Sequence, residues 1–256
     1  MKITFLGTGT STGVPAIGCA CTVCRSNDPR NKRRRSSIYV QAAGQHIIID
    51  TPPDFRDQVL TFGVRQVDAV LITHAHADHI FGFDDIRRFN QIQDTVIPVY
   101  GSPATMVAMN RFFPYVHQVA QPGLSYPRVD FQAVAAPFAI GPVRIEPLPV
   151  DHAGIETYGY QLEADGRTLG YVPDCHRLSA AVAQRLRDLD CLILDGLQRK
   201  PHPTHFTLAE SVAELKRLGA RRSFITHMSH DLDHETTAQS LPSGIEPPYD
   251  GLIVEV

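Results

Sequence analysis

Short apolar runs with β-type spacing recur along the chain. They are Lys2 to Leu6, Ser37 to Val40, His46 to Asp50, Asp68 to Thr73, Val96 to Tyr100, Val129 to Val134, Val143 to Leu148, Tyr158 to Glu163, Thr168 to Val172, Cys191 to Asp195, Ser223 to Thr226 and Leu252 to Val256. Many are bounded by Gly, Pro or Asp, which punctuate strands. Helical patterns fall between some of them, clearly at Ser179 to Leu189 and at Thr207 to Leu218. In the second, Leu208, Val212, Leu215 and Leu218 repeat at helical spacing and Gly219 stops the run. Thr207 before the run and Glu210 three residues later make a capping-box pattern. Many strands with interspersed helices predict an α/β protein: two sheets with helices packed outside, in a single domain spanning 1–256.

Composition adds mainly exclusions. Apolar residues are 43 % and charged residues 20 %, enough for a large core. The net charge of −3 is too balanced to suggest a nucleic-acid partner. No stretch approaches the roughly 18 apolar residues of a membrane span. The start, Met1-Lys2 and a short apolar run before Gly7, lacks the core of a signal peptide, so a cytoplasmic location is expected. Five cysteines, three of them in Cys19-Ala-Cys21-Thr-Val-Cys24, read as metal binding and not as a disulfide framework. Cys175 and Cys191 read as buried thiols. The basic run Asn31 to Arg35 reads as a solvated face or charged strand approach, or alternatively as a field that steers an anionic substrate, with no contact assigned.

The twelve histidines are partly organised. The run Asp68 to Thr73 leads into His74-Ala-His76-Ala-Asp78-His79. One such histidine is ordinarily a satisfied core or surface residue; four ligand-type side chains in six residues are not, since they cannot be buried without partners. In extended chain, alternate side chains point the same way, so His74, His76 and Asp78 are expected to converge, with His79 opening a helix. Imidazole and carboxylate suit zinc, iron or manganese.

His-x-His-x-Asp-His resembles the signature of the metallo-β-lactamase superfamily. The resemblance implies an αββα sandwich of two mixed sheets flanked by helices, with two divalent metals, zinc or manganese, at one edge. It implies His74, His76 and His152 on one metal, Asp78, His79 and His227 on the other, and Asp174 bridging. Asp50 would orient a ligand from behind. A hydroxide between the metals would be the nucleophile, since coordination lowers the pKa of the bound water from about 15.7 to about 7. The segments Leu6-Gly-Thr-Gly-Thr10, Gly13-Val-Pro15, Gly18-Cys19, Thr226-His-Met-Ser-His230, Leu241 to Gly244 and Tyr249 to Gly251 resemble the phosphoribosyl cyclic phosphate phosphodiesterases more closely. That likeness implies a structural zinc on Cys19, Cys21, Cys24 and His230. It also implies two catalytic residues, His205 and Asp78, and a homodimer. His202 competes for the role of His205; His46, His117, His176 and His234 have no assigned role.

The expected activity is hydrolysis of a small cyclic ribose phosphate diester. The rivals are another nucleotide phosphodiesterase or a tRNA-processing type of nuclease, against which the near-neutral charge argues, and a non-catalytic metal-binding module. A small-molecule phosphodiester is the expected partner, with no membrane.

Overall fold

The computed structural model describes residues 1–118 and 123–256. The strands are β1 (Lys2–Gly7), β2 (Ser37–Ala42), β3 (Gln45–Ile49), β4 (Ala69–Leu71), β5 (Ile97–Gly101), β6 (Val129–Ala133), β7 (Phe138–Ile140), β8 (Val143–His152), β9 (Ile155–Ala164), β10 (Arg167–Val172), β11 (Cys191–Asp195), β12 (Arg222–Thr226), β13 (Ile245–Glu246) and β14 (Ile253–Glu255). They form two sheets, ordered β14-β1-β2-β3-β4-β5-β6 and β13-β12-β11-β10-β9-β8-β7. Both are mixed. β3 to β6 run parallel, as do β10 to β13, while the hairpins β2–β3, β8–β9 and β9–β10 are antiparallel.

The helices are α1 (Thr22–Arg25), α2 (Phe55–Thr61), α3 (Ala77–Ile80), α4 (Ile86–Gln93), α5 (Pro103–Phe112), α6 (Ala180–Arg185), α7 (Leu208–Leu218) and α8 (His234–Ser240). The run Ile47-Ile48-Ile49 shows why strands here are continuously apolar. Ile47 and Ile49 join Phe5, Leu71, Tyr160, Leu169 and Phe224 in a core between the sheets. Ile48 faces the other way, into a layer with Phe55, Ile86, Phe89 and Met106 of α2, α4 and α5. On the far sheet, Val172, Leu192 and Ile225 meet Val182 of α6, Leu186 at its C-cap, and Leu208 and Leu215 of α7. Sheets covered on both faces need apolar residues at both strand parities, and the result is an αββα sandwich.

α7 carries the anticipated capping box between Thr207 and Glu210 and ends at Gly219, whose φ of +71° suits glycine. α6 is shorter than the expected span, with Ser179 as its N-cap.

Two readings of the sequence need correction. The basic run is not a solvated face: Arg33 is 2 % exposed and donates to the Leu232 carbonyl at 2.8 Å, Arg34 pairs with Asp57 and Asp250, and Arg35 with Asp54. Nor does the metal-type motif stay extended through Asp78. β4 ends at Leu71, His76 is the N-cap of α3, and Asp78 and His79 lie in that single helical turn. In that turn Asp78 Oδ2 lies 3.4 Å from His79 Nε2.

No helix among the described residues is long and apolar enough to cross a membrane.

Candidate metal centre

Parallel strands deliver their carboxyl ends to one edge of the sandwich. Asp50 follows β3, Thr73 and His74 follow β4, Asp174 follows β10, Asp195 ends β11, His227 follows β12, and His152 ends β8. The hydrogen bonds of a ladder stop there, so side chains at that edge are free to face a ligand. Asp50 and His227 have φ of +65° and +59°. Non-glycine residues held in the left-handed region cost energy and concentrate at functional sites.

Two of the donor groups are His74, His76 and His152, and Asp78, His79 and His227; they overlap through His74, His79 and Asp174, and His152, Asp174 and His205 also come together. His74 Nε2 lies 2.9 Å from His76 Nδ1, which lies 3.4 Å from His152 Nε2. His79 Nε2 and His227 Nε2 lie 3.4 and 3.7 Å from Asp78 Oδ2. Asp174 divides between the groups. Its Oδ2 is 3.5 Å from His152 and 3.9 Å from His74, while its Oδ1 is 3.3 Å from His79 and 3.5 Å from His227.

These spacings fit divalent ions. Ligands about 2.0–2.1 Å from a tetrahedral ion stand about 3.3 Å apart. His79 Nε2, His227 Nε2 and Asp174 Oδ1 are buried with no hydrogen-bond partner. Three such atoms converging without partners would be costly, and a shared cation removes that cost. Burial pushes the Asp174 carboxyl up, but the nearby His227 and His79 outweigh it and hold it well below the carboxylate range. Burial keeps His74 well below its ordinary value, and therefore neutral.

The far sides of the rings are tied down. Asp50, wholly buried, faces His79 Nδ1 at 2.8 Å and accepts from the Thr73 N–H and hydroxyl, each at 2.8 Å. His152 Nδ1 donates to the Thr204 carbonyl at 3.0 Å. Both contacts leave Nε2 for the ion.

His205 sits beside this cluster. Its ring centroid is 4.7 Å from those of both His152 and His227, stacked on the latter. Its Nδ1 is 2.7 Å from Asp195 Oδ2, and that carboxylate also accepts from the Cys175 N–H at 2.9 Å. Burial, then repulsion from His227, pulls His205 down to about 4. Burial pushes the Asp195 carboxyl well above its ordinary value, so the pair shares one proton across the Nδ1–Oδ2 contact. Asp195 was missed by sequence reasoning. Its one signal is that it ends the apolar run Cys191 to Leu194 as Asp50 ends Ile47 to Ile49. His202, the rival candidate, lies farther out, its ring 5.0 Å from that of His205.

The cysteine cluster is separate. Cys19, Cys21 and Cys24 Sγ stand 3.2, 3.5 and 3.6 Å from His230 Nδ1. Zinc with sulfur about 2.3 Å and nitrogen about 2.0 Å away sets S···N edges of about 3.5 Å. All three thiols are free of disulfides, as are the buried Cys175 and Cys191. The Cys24 N–H, donating to Cys21 Sγ at 3.4 Å, and then His230 lower the Cys21 thiol to about 6, favouring the thiolate.

Comparison with known proteins gives the family and the fold. Residues 45–228 match the Beta-lactamase superfamily domain. A solved structure described as a new diphosphatase from the PhnP family is 40 % identical, with a TM-score of 0.91, and the match covers 100 % of this chain and 97 % of that one. The zinc-bound PqqB of Methylobacterium extorquens has a TM-score of 0.83 over 100 % of both chains, but at 20 % identity it shares the fold alone. The octanoyltransferase of Porphyromonas gingivalis is 34 % identical over 98 % of this chain. The chain spans about half of that relative's length, 51 %.

Proposed function

Because the chain belongs to the β-lactamase superfamily and, within it, to the PhnP family, we propose that it is a metal-dependent hydrolase that cleaves a small ribose phosphate diester, in particular a cyclic one. His74, His76 and His152 would hold one divalent ion and Asp78, His79 and His227 the other, with one oxygen of Asp174 directed to each. Zinc and manganese both suit this donor set. Ions held there supply a water that ionises near pH 7 and positive charge beside the phosphoryl oxygens.

The observation that carries the phosphoryl reading is the Asp195–His205 pair beside the ligand groups. A sugar oxygen is a poor leaving group and needs a proton. Asp195 fixes Nδ1–H, so Nε2 is the nitrogen left for the substrate. An anionic phosphate arriving beside the ring stabilises its doubly protonated form, and Nε2–H then donates to the departing oxygen. Asp78, 15 % exposed, is the most accessible carboxylate of the ligand groups and lies on the same side as His227. Cys19, Cys21, Cys24 and His230 would hold a closed structural zinc. It would fix the loop that follows His227.

The test is turnover of a cyclic ribose phosphate, a bis-aryl phosphodiester and a structured RNA by metal-replete protein. The proposal expects both small diesters to be cleaved, and the RNA little if at all. Failure on both small diesters with metals bound would overturn it. A second reading, hydrolysis of a diphosphate, is favoured by the 40 % identity to the solved diphosphatase.

A further inference from the structure

The far ring nitrogens of the buried ligand histidines are not held alike. Asp50 faces Nδ1 of His79, the Thr204 carbonyl faces that of His152, and the Thr73 hydroxyl lies 3.0 Å from that of His74. His227 differs. Both of its ring nitrogens are buried, and neither has a hydrogen-bond partner among the described residues. Nε2 faces Asp78 and Asp174, so Nδ1 is the nitrogen without an anchor. Apart from its stacking on His205, the ring is placed by its backbone, held at a φ of +59°. A non-glycine residue in that region persists only where its neighbours enforce it.

Those neighbours lie on the loop after β1. The Met228 N–H donates to the Thr8 carbonyl at 2.9 Å, and the Thr10 N–H donates to the Met228 carbonyl at 3.2 Å. Thr8 is held in turn by Asp250, 242 residues away, whose Oδ1 accepts from the Thr8 N–H and hydroxyl at 3.0 and 2.9 Å. Asp250 Oδ2 accepts from the Arg34 N–H at 2.7 Å, and the Gly9 N–H donates to the Arg34 carbonyl at 2.8 Å. One carboxylate, its side chain 5 % exposed, thus holds Thr8 directly and Gly9 through Arg34.

We infer that Asp250 is a positioning residue for His227. Through Thr8 and Met228 it aims the imidazole, and it thereby sets the affinity for the ion of Asp78, His79 and His227 more than that for the ion of His74, His76 and His152. The inference rests on the reading of this edge as a two-ion site. An amide at position 250 does not replace the carboxylate. The backbone N–H groups of Thr8 and Arg34 approach its two different oxygens, so an asparagine must turn an NH2 toward one of them.

The experiment titrates manganese into protein freed of its edge metals by a mild chelator and counts the free ion by electron paramagnetic resonance. Thiolates favour softer ions, so the cysteine cluster does not compete. Wild type should bind two ions. Asp250→Asn should bind one as tightly as wild type and the other about tenfold more weakly, the lower end of the cost of losing an outer partner of a ligand. Thr8→Val removes only the hydroxyl donor; it should give a smaller loss at the same ion, and it serves where Asp250→Asn does not fold. Met109→Ala, a truncation in the buried layer of α5, lowers stability away from this relay and should change neither affinity. Equal losses at both ions, no loss, or the same selective loss in Met109→Ala would overturn the inference. A wild type that binds fewer than two ions contradicts the two-ion reading instead. The relay is then decided by the imidazole NMR signals of metal-free protein. Asp250→Asn should shift those of His227 and leave those of His74 in place; unmoved His227 signals would overturn it.

Discussion

Replacing Asp195 with Asn tests whether His205 works as the structure implies. The substitution keeps the shape, and its carbonyl oxygen can still accept from His205 Nδ1 or from the Cys175 N–H, which now share Oδ2 at 2.7 and 2.9 Å. The negative charge that stabilises a doubly protonated imidazole is removed. Asp195 is fully buried and the His205 side chain is 9 % exposed, so solvent screens little of that interaction. A hydrogen bond to a charged group contributes about 1.5–3 kcal/mol, equivalent to roughly a 10- to 100-fold loss in kcat for a sugar-alkoxide leaving group. The loss should shrink for a nitrophenolate, which departs without a proton. The assay is steady-state turnover of both substrates with metal content measured on the same samples, for Asp195→Asn, His205→Ala and the double variant. Residues acting through one proton are non-additive, so the double variant should be no slower than His205→Ala. A further tenfold loss in the double variant, or equal losses for both leaving groups, would refute the reasoning.

His205→Ala should keep both metals and lose about 10²- to 10⁴-fold in turnover of the poor leaving group, measured by product release. Asp50→Ala strips His79 of its acceptor and should cost about 10- to 100-fold in metal affinity, read by competition with a chelator. Cys21→Ser should release one metal per chain and lower the melting temperature by roughly 5 °C or more, because zinc binding free energy is folding free energy. Turnover per folded molecule should fall less than stability does.

What was legible in the sequence was local chemistry. The motif His74 to His79 is contiguous, and an Asp or His at the end of several apolar runs, as at Asp50, Asp174 and His227, marks a strand's carboxyl end. The two-sheet layering was legible too, because runs such as Ile47-Ile48-Ile49 are apolar at both parities. Pairing across the fold was not. Arg33 is buried because its acceptor is the carbonyl of Leu232, 199 residues away, and nothing near Arg33 signals that. Asp195 takes its meaning from His205 and Cys175, and those contacts exist only once β10, β11 and the loop before α7 come together. The extended reading of Asp78 failed for a local reason: alternation was carried past the end of β4 into a helical turn too short to show periodicity.

The central claim is that seven side chains at this edge hold two ions across Asp174. Anomalous diffraction from crystals of undepleted protein, recorded at the absorption edges of zinc and manganese, tests it directly. The account predicts two peaks about 3.5 Å apart, one within bonding distance of His74, His76 and His152, the other of Asp78, His79 and His227, with an oxygen of Asp174 on each. A single peak, or two peaks that Asp174 does not join, would contradict it.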